Sequence, residues 1–357
     1  MKLLFIITFF ISVKTFAFPD TIRHGYTNCT SCHVSPSGGG MLNCYGRSLS
    51  RELLSTWGSK NEESLFHGLV KMPEGTLDKF LLGGDARYIS RRQKNQTSKI
   101  DEGFWMQAQL RLGLVYEKFK FLMAIGKIEN PRASQEVEFV SPEFYGIYSP
   151  QESLHIRAGR FEPVFGLRMP DHNLWIKSDI GFVPWNEREG VELIYEGETQ
   201  FLSLAGFQST SAVNPGSQTT GYSFTMDQVV FDTTRMGISA MNAEGQGIRQ
   251  KVFGAHGTIG WTEKLFTMLG YSQIWNLENK KDVLFFRTGY EIYKGLTPFI
   301  QTQGRFDKID NTNDQKKHGL GLIWLPRPHF ELVFQIEKTQ SERGDSDENY
   351  LLFHYYL

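Results

Sequence analysis

The residues with the clearest chemistry are Cys29-Thr30-Ser31-Cys32-His33. Two thiols separated by two residues, followed at once by an imidazole, are spaced to act on one flat group. Each thiol can add to one of two vinyl groups on adjacent edges of a porphyrin, and the histidine then swings beneath the ring to reach iron. The C-x-x-C-H pattern is therefore read as the attachment site of one haem c, with His33 as the proximal iron ligand. For the sixth position His24 comes first, since it lies just before the attachment loop and imidazole is a strong iron donor. Met41, a thioether on a Gly-rich loop, is second and His67 third. The choice matters because a histidine in place of a methionine ligand generally lowers the haem potential. His24 can equally be an ordinary surface histidine. Cys44, the third cysteine, has no assigned role.

Two other readings of the cysteines are weaker. A redox disulfide between Cys29 and Cys32 needs a βαβ context that the sequence lacks. Zinc would draw on Cys29, Cys32, His33 and Cys44, whose spacing matches no familiar zinc site. The segment before the motif agrees with haem. Lys2 supplies a positive start and Leu3 to Val13 is an apolar run broken only by Thr8 and Ser12, with cleavage expected after Ala17. That length suits a secretory signal and is too short for a membrane span. Haem attachment of this kind normally happens outside the cytoplasm, so the two signals support each other. The stretch from Arg23 to Arg47 resembles the short monohaem cytochrome modules that head exported bacterial proteins. The resemblance implies that the glycines fold a loop around the porphyrin edge and that a helix starts at Leu49.

The elements that must position this motif change character after about Pro73. The segment Leu49 to Val70 has a helical pattern, and strands of roughly ten residues follow. In β-type alternation, Met106, Ala108, Leu110, Leu112, Leu114 and Tyr116 share one face, opposite Gln107, Gln109 and Arg111. Likewise Ile300, Thr302, Gly304 and Phe306 oppose Gln301, Gln303 and Arg305, and Phe330, Leu332, Phe334 and Ile336 oppose Glu331, Gln335 and Glu337. Aromatic residues at 14%, 35 glycines and a mean hydropathy of −0.34 suit such half-apolar surfaces better than a filled soluble core. The formal net charge of −1 gives no electrostatic case for nucleic acid.

Short turns near Glu117-Lys118, Pro150-Gln151, Gly197-Glu198, Asp232-Thr233, Thr262-Glu263, Lys294-Gly295 and Arg327-Pro328 alternate with longer polar connections, among them Arg92 to Glu102, Pro131 to Glu136, Thr210 to Gly221, Asp307 to Lys317 and Ser341 to Glu348. Tight inner turns and long outer loops are the pattern of outer-membrane barrels. The expected architecture is all-β: a signal peptide (1–17), a partly helical haem module (18–77) and a transmembrane antiparallel β-barrel of about sixteen strands (78–357). The terminal alternation Leu351, Phe353, Tyr355, Leu357 resembles the last strand of such barrels, although those usually end on phenylalanine.

One connection, Glu162 to Arg188, is much longer than the rest. With Gly159-Arg160-Phe161 before it, this segment resembles the strand-to-loop passage of phosphate-selective bacterial porins. The resemblance implies a loop folded inward to narrow the pore, with Arg168, Asp171 and His172 at the constriction; a solvated outer loop is the competing reading. Arg87, Arg111 and Arg305 are expected on the lumen face, as are Glu331 and Glu337, so no ion selectivity follows. Two functions compete: an electron relay in the outer membrane, with the module on the periplasmic side and periplasmic or outer-membrane redox proteins as partners, or a diffusion porin for small solutes whose haem module is a sensor, plug or structural element. Lipid is a partner in both. No nucleophile, carboxylate pair or second metal site argues for an enzyme.

Overall fold

The computed structural model describes residues 21–26, 28–58, 76–128, 143–169, 171, 173–182, 187–209, 219–245, 248–277 and 279–357. The expected targeting segment, His67, His172 and the connection Pro131 to Glu136 lie outside them. Sixteen strands run β1 (Phe80–Asn95), β2 (Lys99–Tyr116), β3 (Phe119–Ile128), β4 (Phe144–Gln151), β5 (Leu154–Phe161), β6 (Arg188–Glu196), β7 (Gln200–Ser209) and β8 (Thr219–Phe231). They continue β9 (Thr234–Gly245), β10 (Ile248–Gly260), β11 (Leu265–Trp275), β12 (Lys280–Tyr290), β13 (Leu296–Asp307), β14 (Gln315–Trp324), β15 (Phe330–Ser341) and β16 (Ser346–Tyr356). Each pairs antiparallel with its sequence neighbours, and β16 pairs with β1, for example Ala86 with Tyr355, to close the barrel. Closure leaves no edge strand to template aggregation.

The faces are inverted relative to a water-soluble sandwich. Along β13, Ile300 is 50% exposed while Gln301 and Gln303 are 3% and 1% exposed. On β15, Phe334 and Ile336 face outward and Gln335 and Glu337 are buried. Polar side chains point into the lumen and apolar ones outward with no second sheet to cover them, which is the solution that hydrocarbon imposes on a closed sheet.

Three expectations are corrected. The connection expected from Arg92 to Glu102 is instead strand up to Asn95 and again from Lys99, held by Arg92–Asp101 (2.6 Å) and Arg91–Glu102 (2.8 Å) ion pairs and by an Asn95 side chain that accepts from the Thr97 and Ser98 amides. Its polar residues belong to strands, not to a loop. Met106 was expected on the outer face with Ala108. A register shift in the β1–β2 ladder, where Arg87 opposes Gln107 but Tyr88 opposes Trp105, turns Met106 into the lumen beside Arg87 and Ile89. The tight turn expected at Pro150-Gln151 falls two residues later, since β4 runs to Gln151 and β5 begins at Leu154.

The lumen is occupied by the chain itself. Residues 162–169, 171 and 173–182 fold inward, including the short helix α3 (Trp175–Ser178), numbered after α1 (Cys44–Leu49) and α2 (Thr76–Lys79). Leu167, Leu174, Trp175, Ile176 and Phe182 pack on inward side chains of β7 and β9–β12, including Phe207, Met241, Phe266, Met268 and Phe285. Gly270 is required at this contact, because a Cβ there would lie 2.3 Å from Ile176 Cδ1. Replacing outward Ile300 with arginine is expected to cost about 2–4 kcal/mol of folding stability, read by urea unfolding in lipid vesicles. A cost below about 1 kcal/mol would mean that this face does not meet hydrocarbon.

Candidate functional site

The C-x-x-C-H segment belongs to a plug, residues 21–58, seated at the short-turn end of the barrel. Locally it is built from turns. The amides of Cys32 and His33 both donate to the Cys29 carbonyl (3.2 and 2.9 Å), so the two thiols and the imidazole project from one helical turn. The chain then reverses through Gly38, Gly39 and Gly40, all at positive φ, and His33 bridges Leu42 in antiparallel fashion. Asn43 closes the unit. Its amide nitrogen donates to the Thr30 and Ser31 carbonyls (both 3.0 Å), and its side-chain oxygen caps α1 by accepting from Gly46 N (2.8 Å). α1 starts at Cys44, five residues before the expected Leu49.

The plug touches the wall around the mouth. Arg23 is buried and donates to Glu291 (2.6 Å) and to the Glu263 carbonyl (2.9 Å), while Gly260 leaves room for its backbone. Thr56 N and Trp57 N donate to the Leu325 and Pro326 carbonyls (2.8 and 2.9 Å), and Lys294 Nζ donates to the Glu52 carbonyl (2.8 Å). Arg47 donates to the Leu82 carbonyl, and Ser50 meets the Tyr356 hydroxyl at 3.2 Å. On the lumen side Arg157 of β5 donates to Ser37 (2.7 Å) and pairs with fully buried Glu192 (2.9 Å), which also accepts from Ser203 (2.6 Å) and from Val164 N (3.0 Å). One carboxylate thereby ties together plug, wall and inward loop.

The expected site residues are placed as follows. Cys29 and Cys32 are free thiols, 7% and 2% exposed; Cys44 is exposed. Burial, with the neighbouring Cys29 adding to it, pushes the Cys32 thiol up to about 11. Burial lowers His33 to about 4, opposed by a backbone hydrogen bond at Gly39 and reinforced by Arg111, so the imidazole is neutral at pH 7. Cys29 Sγ accepts from Arg168 Nη1 at 2.7 Å. His24 does not share the surroundings of His33: it lines a cleft of about 440 Å³ with Arg23, Tyr26, Leu53, Thr233 and Trp261. Met41 is buried in an apolar cluster with Val34, Leu122, Tyr145 and Phe161, an arrangement that hydrophobic packing alone explains. Among the described residues no three His, Cys, Asp or Glu side chains gather as a metal cluster, and none joins Cys44 to the motif.

The lumen charges act mostly as anchors. Arg305 holds Asp179 of the inward loop (2.6 Å), Arg287 holds Asp171 (2.8 Å), Arg111 holds Asp85 (3.1 Å), Lys317 holds Glu337 (3.2 Å) and His354 holds Glu331 (2.8 Å). Between the inward loop and the β1, β2, β12, β13, β15 and β16 wall lies a cavity of about 30 Å³, lined in part by Arg87, Asp171, Arg287 and Glu337. Sequence reasoning missed Arg23, Glu291, Arg157, Glu192, Asp227 and Arg235. Inward parity within strands was the available signal for the last four; nothing local marks Arg23 or Glu291.

No protein-family model matches the chain, and no curated protein matches its sequence. Solved structures match its shape. A loop L8 deletion form of OmpT, an outer membrane protein of Vibrio cholerae, aligns with a TM-score of 0.59 at 6% identity, covering 78% of this chain and 100% of that one. The outer membrane channel DcaP of Acinetobacter baumannii aligns at 0.58 and 12% identity over 78% and 97% of the two chains. Pseudomonas putida OprB aligns at 0.59 and 9% identity over 79% and 95%. The chain therefore has the porin-like barrel fold of outer-membrane proteins.

Removing Arg23 leaves Glu291 partly buried without its ion partner, a loss of about 3–5 kcal/mol in docking. Arg23→Ala is expected to expose residues 21–58 to limited proteolysis while the barrel keeps its heat-modifiable gel migration, and Arg23→Ala with Glu291→Ala to regain part of the protection. Unchanged protection in the single variant would remove this ion pair as a latch.

Proposed function

We propose that the chain is an outer-membrane channel for small solutes whose inner mouth is closed by its own N-terminal segment, and that this segment carries one haem c. The observation that carries the first part is the seating of residues 21–58 against the turns and ends of strands around the mouth. Short turns are periplasmic in barrels of this kind, so an exported N-terminus reaches that mouth from the periplasm. The plug seats across the inner mouth and the inward loop crosses the lumen, where the cavity between it and the wall, about 30 Å³, is water-sized. On this reading passage of a solute requires one of the two fillers to move.

The residues of the plug fit the haem. One turn presents both thiols, unoxidised, next to an imidazole that is neutral and so able to donate a lone pair to iron. Gly38 leaves space beside the first thiol, since a Cβ there would lie 3.1 Å from Cys29 Sγ. Cys29 and Cys32 would hold the macrocycle, each S–H adding across one vinyl double bond to form a C–S bond with the hydrogen on the neighbouring carbon, and His33 would bind iron. When bound, the group supplies one-electron exchange.

That chemistry supports a second reading, in which the barrel holds an electron relay for periplasmic or outer-membrane redox proteins. A hydrocarbon layer of roughly 30 Å exceeds what a single haem spans, so this reading requires further haem proteins beside or within the lumen. No catalytic turnover is assigned.

In planar lipid bilayers the full chain is expected to be mostly closed, and Arg23→Ala to raise the open fraction severalfold. Equal, free conductance in both would exclude the plug as a barrier. For the haem, the detergent-extracted full chain is expected to stain for covalent haem on a denaturing gel and to give sharp reduced α and β peaks. Cys29→Ala with Cys32→Ala should abolish both and leave heat-modifiable migration intact; an unstained wild-type band removes the haem from the reading.

A further inference from the structure

Resting on the haem reading, we infer that Arg168 of the inward loop and Arg235 of β9 are the residues that set the electrostatic environment of the group carried on Cys29, so that the barrel, not the plug alone, tunes it. The first thiol does not face periplasmic water. It points into the lumen, where Arg168 Nη1 lies 2.7 Å from Sγ. Arg168 is fixed there by three contacts independent of the plug. Its Nη2 donates to Asp227 Oδ2 at 3.0 Å, its guanidinium stacks 3.9 Å from the centre of the Phe201 ring, and its chain leaves the packed segment at Leu167 and Met169. Arg235 Nε donates to the same Asp227 oxygen at 3.0 Å, and its guanidinium lies 5.4 Å from the same ring. His256 Nε2 meets the other Asp227 oxygen at 2.7 Å. Glu196, on the wall next to Thr30, is the other carboxylate on this side (3.5 Å to Thr30 N).

The arrangement places two guanidinium cations beside the thiol and engages both through one carboxylate. Asp227 and Glu196 balance the two cations in formal charge, but Arg168 is the group in contact with the thiol, and a cation at that distance in low dielectric disfavours the more positive, oxidised state of an iron centre and raises its potential. It also offers fork-shaped donors to carboxylates such as the propionates of a porphyrin. Arg168 is therefore a positioning residue with two attachments: to the loop that narrows the lumen and to the edge of the plug that bears the haem. A change of charge on the haem is felt by the inward loop through it.

The test is a spectroscopic redox titration of the purified full chain in detergent, comparing wild type with Arg168→Gln, Arg168→Lys and Arg249→Gln. Arg249 pairs with Glu244 at the exposed, long-connection end of β9 and β10, takes no part in seating the plug and serves as the remote control. The expected result is haem retained in all four, a lowered midpoint potential in Arg168→Gln, a smaller shift in Arg168→Lys and none in Arg249→Gln. An Arg168→Gln protein that retains haem at the wild-type potential overturns the assignment while leaving the haem reading intact. A wild-type chain without covalent haem overturns the haem reading itself and this assignment with it. Should Arg168→Gln fail to give a heat-modifiable barrel, Arg235→Gln is read in the same titration, and an unshifted potential there overturns the assignment equally.

Discussion

A closed sheet of sixteen strands encloses more space than its own inward side chains can fill. The rest of this structure follows from how that space is filled. Porin-type barrels leave it to water. Here the chain supplies two fillers, the inward loop and the plug, and the inner wall meets each with both apolar and charged side chains. From β7 to β12 the wall carries Phe207, Met241, Phe266, Met268 and Phe285 inward, against the apolar face of the inward loop, while Arg287 and Arg305 hold its Asp171 and Asp179. Towards the short-turn end Leu122, Tyr145 and Phe161 pack on Val34 and Met41 of the plug, beside the Arg23–Glu291 and Arg157–Ser37 contacts.

The charged contacts cost more to break than to leave alone. A buried ion pair adds little net stability against an apolar substitute, but losing one partner strands the other in low dielectric. Arg23–Glu291 joins the plug to the wall and Arg168–Asp227 joins the inward loop to it, so they fix where plug and loop sit more than how stable the barrel is, whereas Arg157–Glu192 is a cross-strand pair of β5 and β6 that reaches the plug through Ser37. The same economy explains why Arg305 and Arg111 do not act as a selectivity filter in this state. Their charge is engaged in holding Asp179 of the loop and Asp85 of the wall.

Most of the barrel was legible because period-two alternation is read directly off the chain wherever one face is polar. Gln301 and Gln303 against Ile300, or Gln335 and Glu337 against Phe334, leave a single assignment of inside and outside. Legibility fails where that contrast disappears. In β11 and β12 both faces are apolar, since Phe266 and Met268 face the loop while Leu269, Leu284 and Phe286 face outward, so the inward-folding loop can be seen only through its partners. The Met106 error has a different source: one extra residue in a strand flips parity, and no residue type announces it. The C-x-x-C-H segment was legible as a motif but not as a place. Nothing in Cys29 to His33 says that the turn sits inside a barrel mouth, because the contacts that seat it and the loop after it, Arg168 with Cys29, Arg157 with Ser37 and Arg111 beside Gly40, come from strands and a loop more than seventy residues away.

The two functional readings make different demands on the same volume. Conduction needs the plug or the inward loop to leave, whereas a haem held against Arg168 needs both to stay. On the proposed readings the docked arrangement would be the redox-competent one and the undocked arrangement the conducting one, separated by ion pairs such as Arg23–Glu291 and Arg168–Asp227. A ligand or redox change shifts such an equilibrium only by the difference in its interaction with the two states. Arg168 is where the proposal concentrates that difference, because it touches the thiol and the carboxylate hub at Asp227 and belongs to the segment that narrows the lumen.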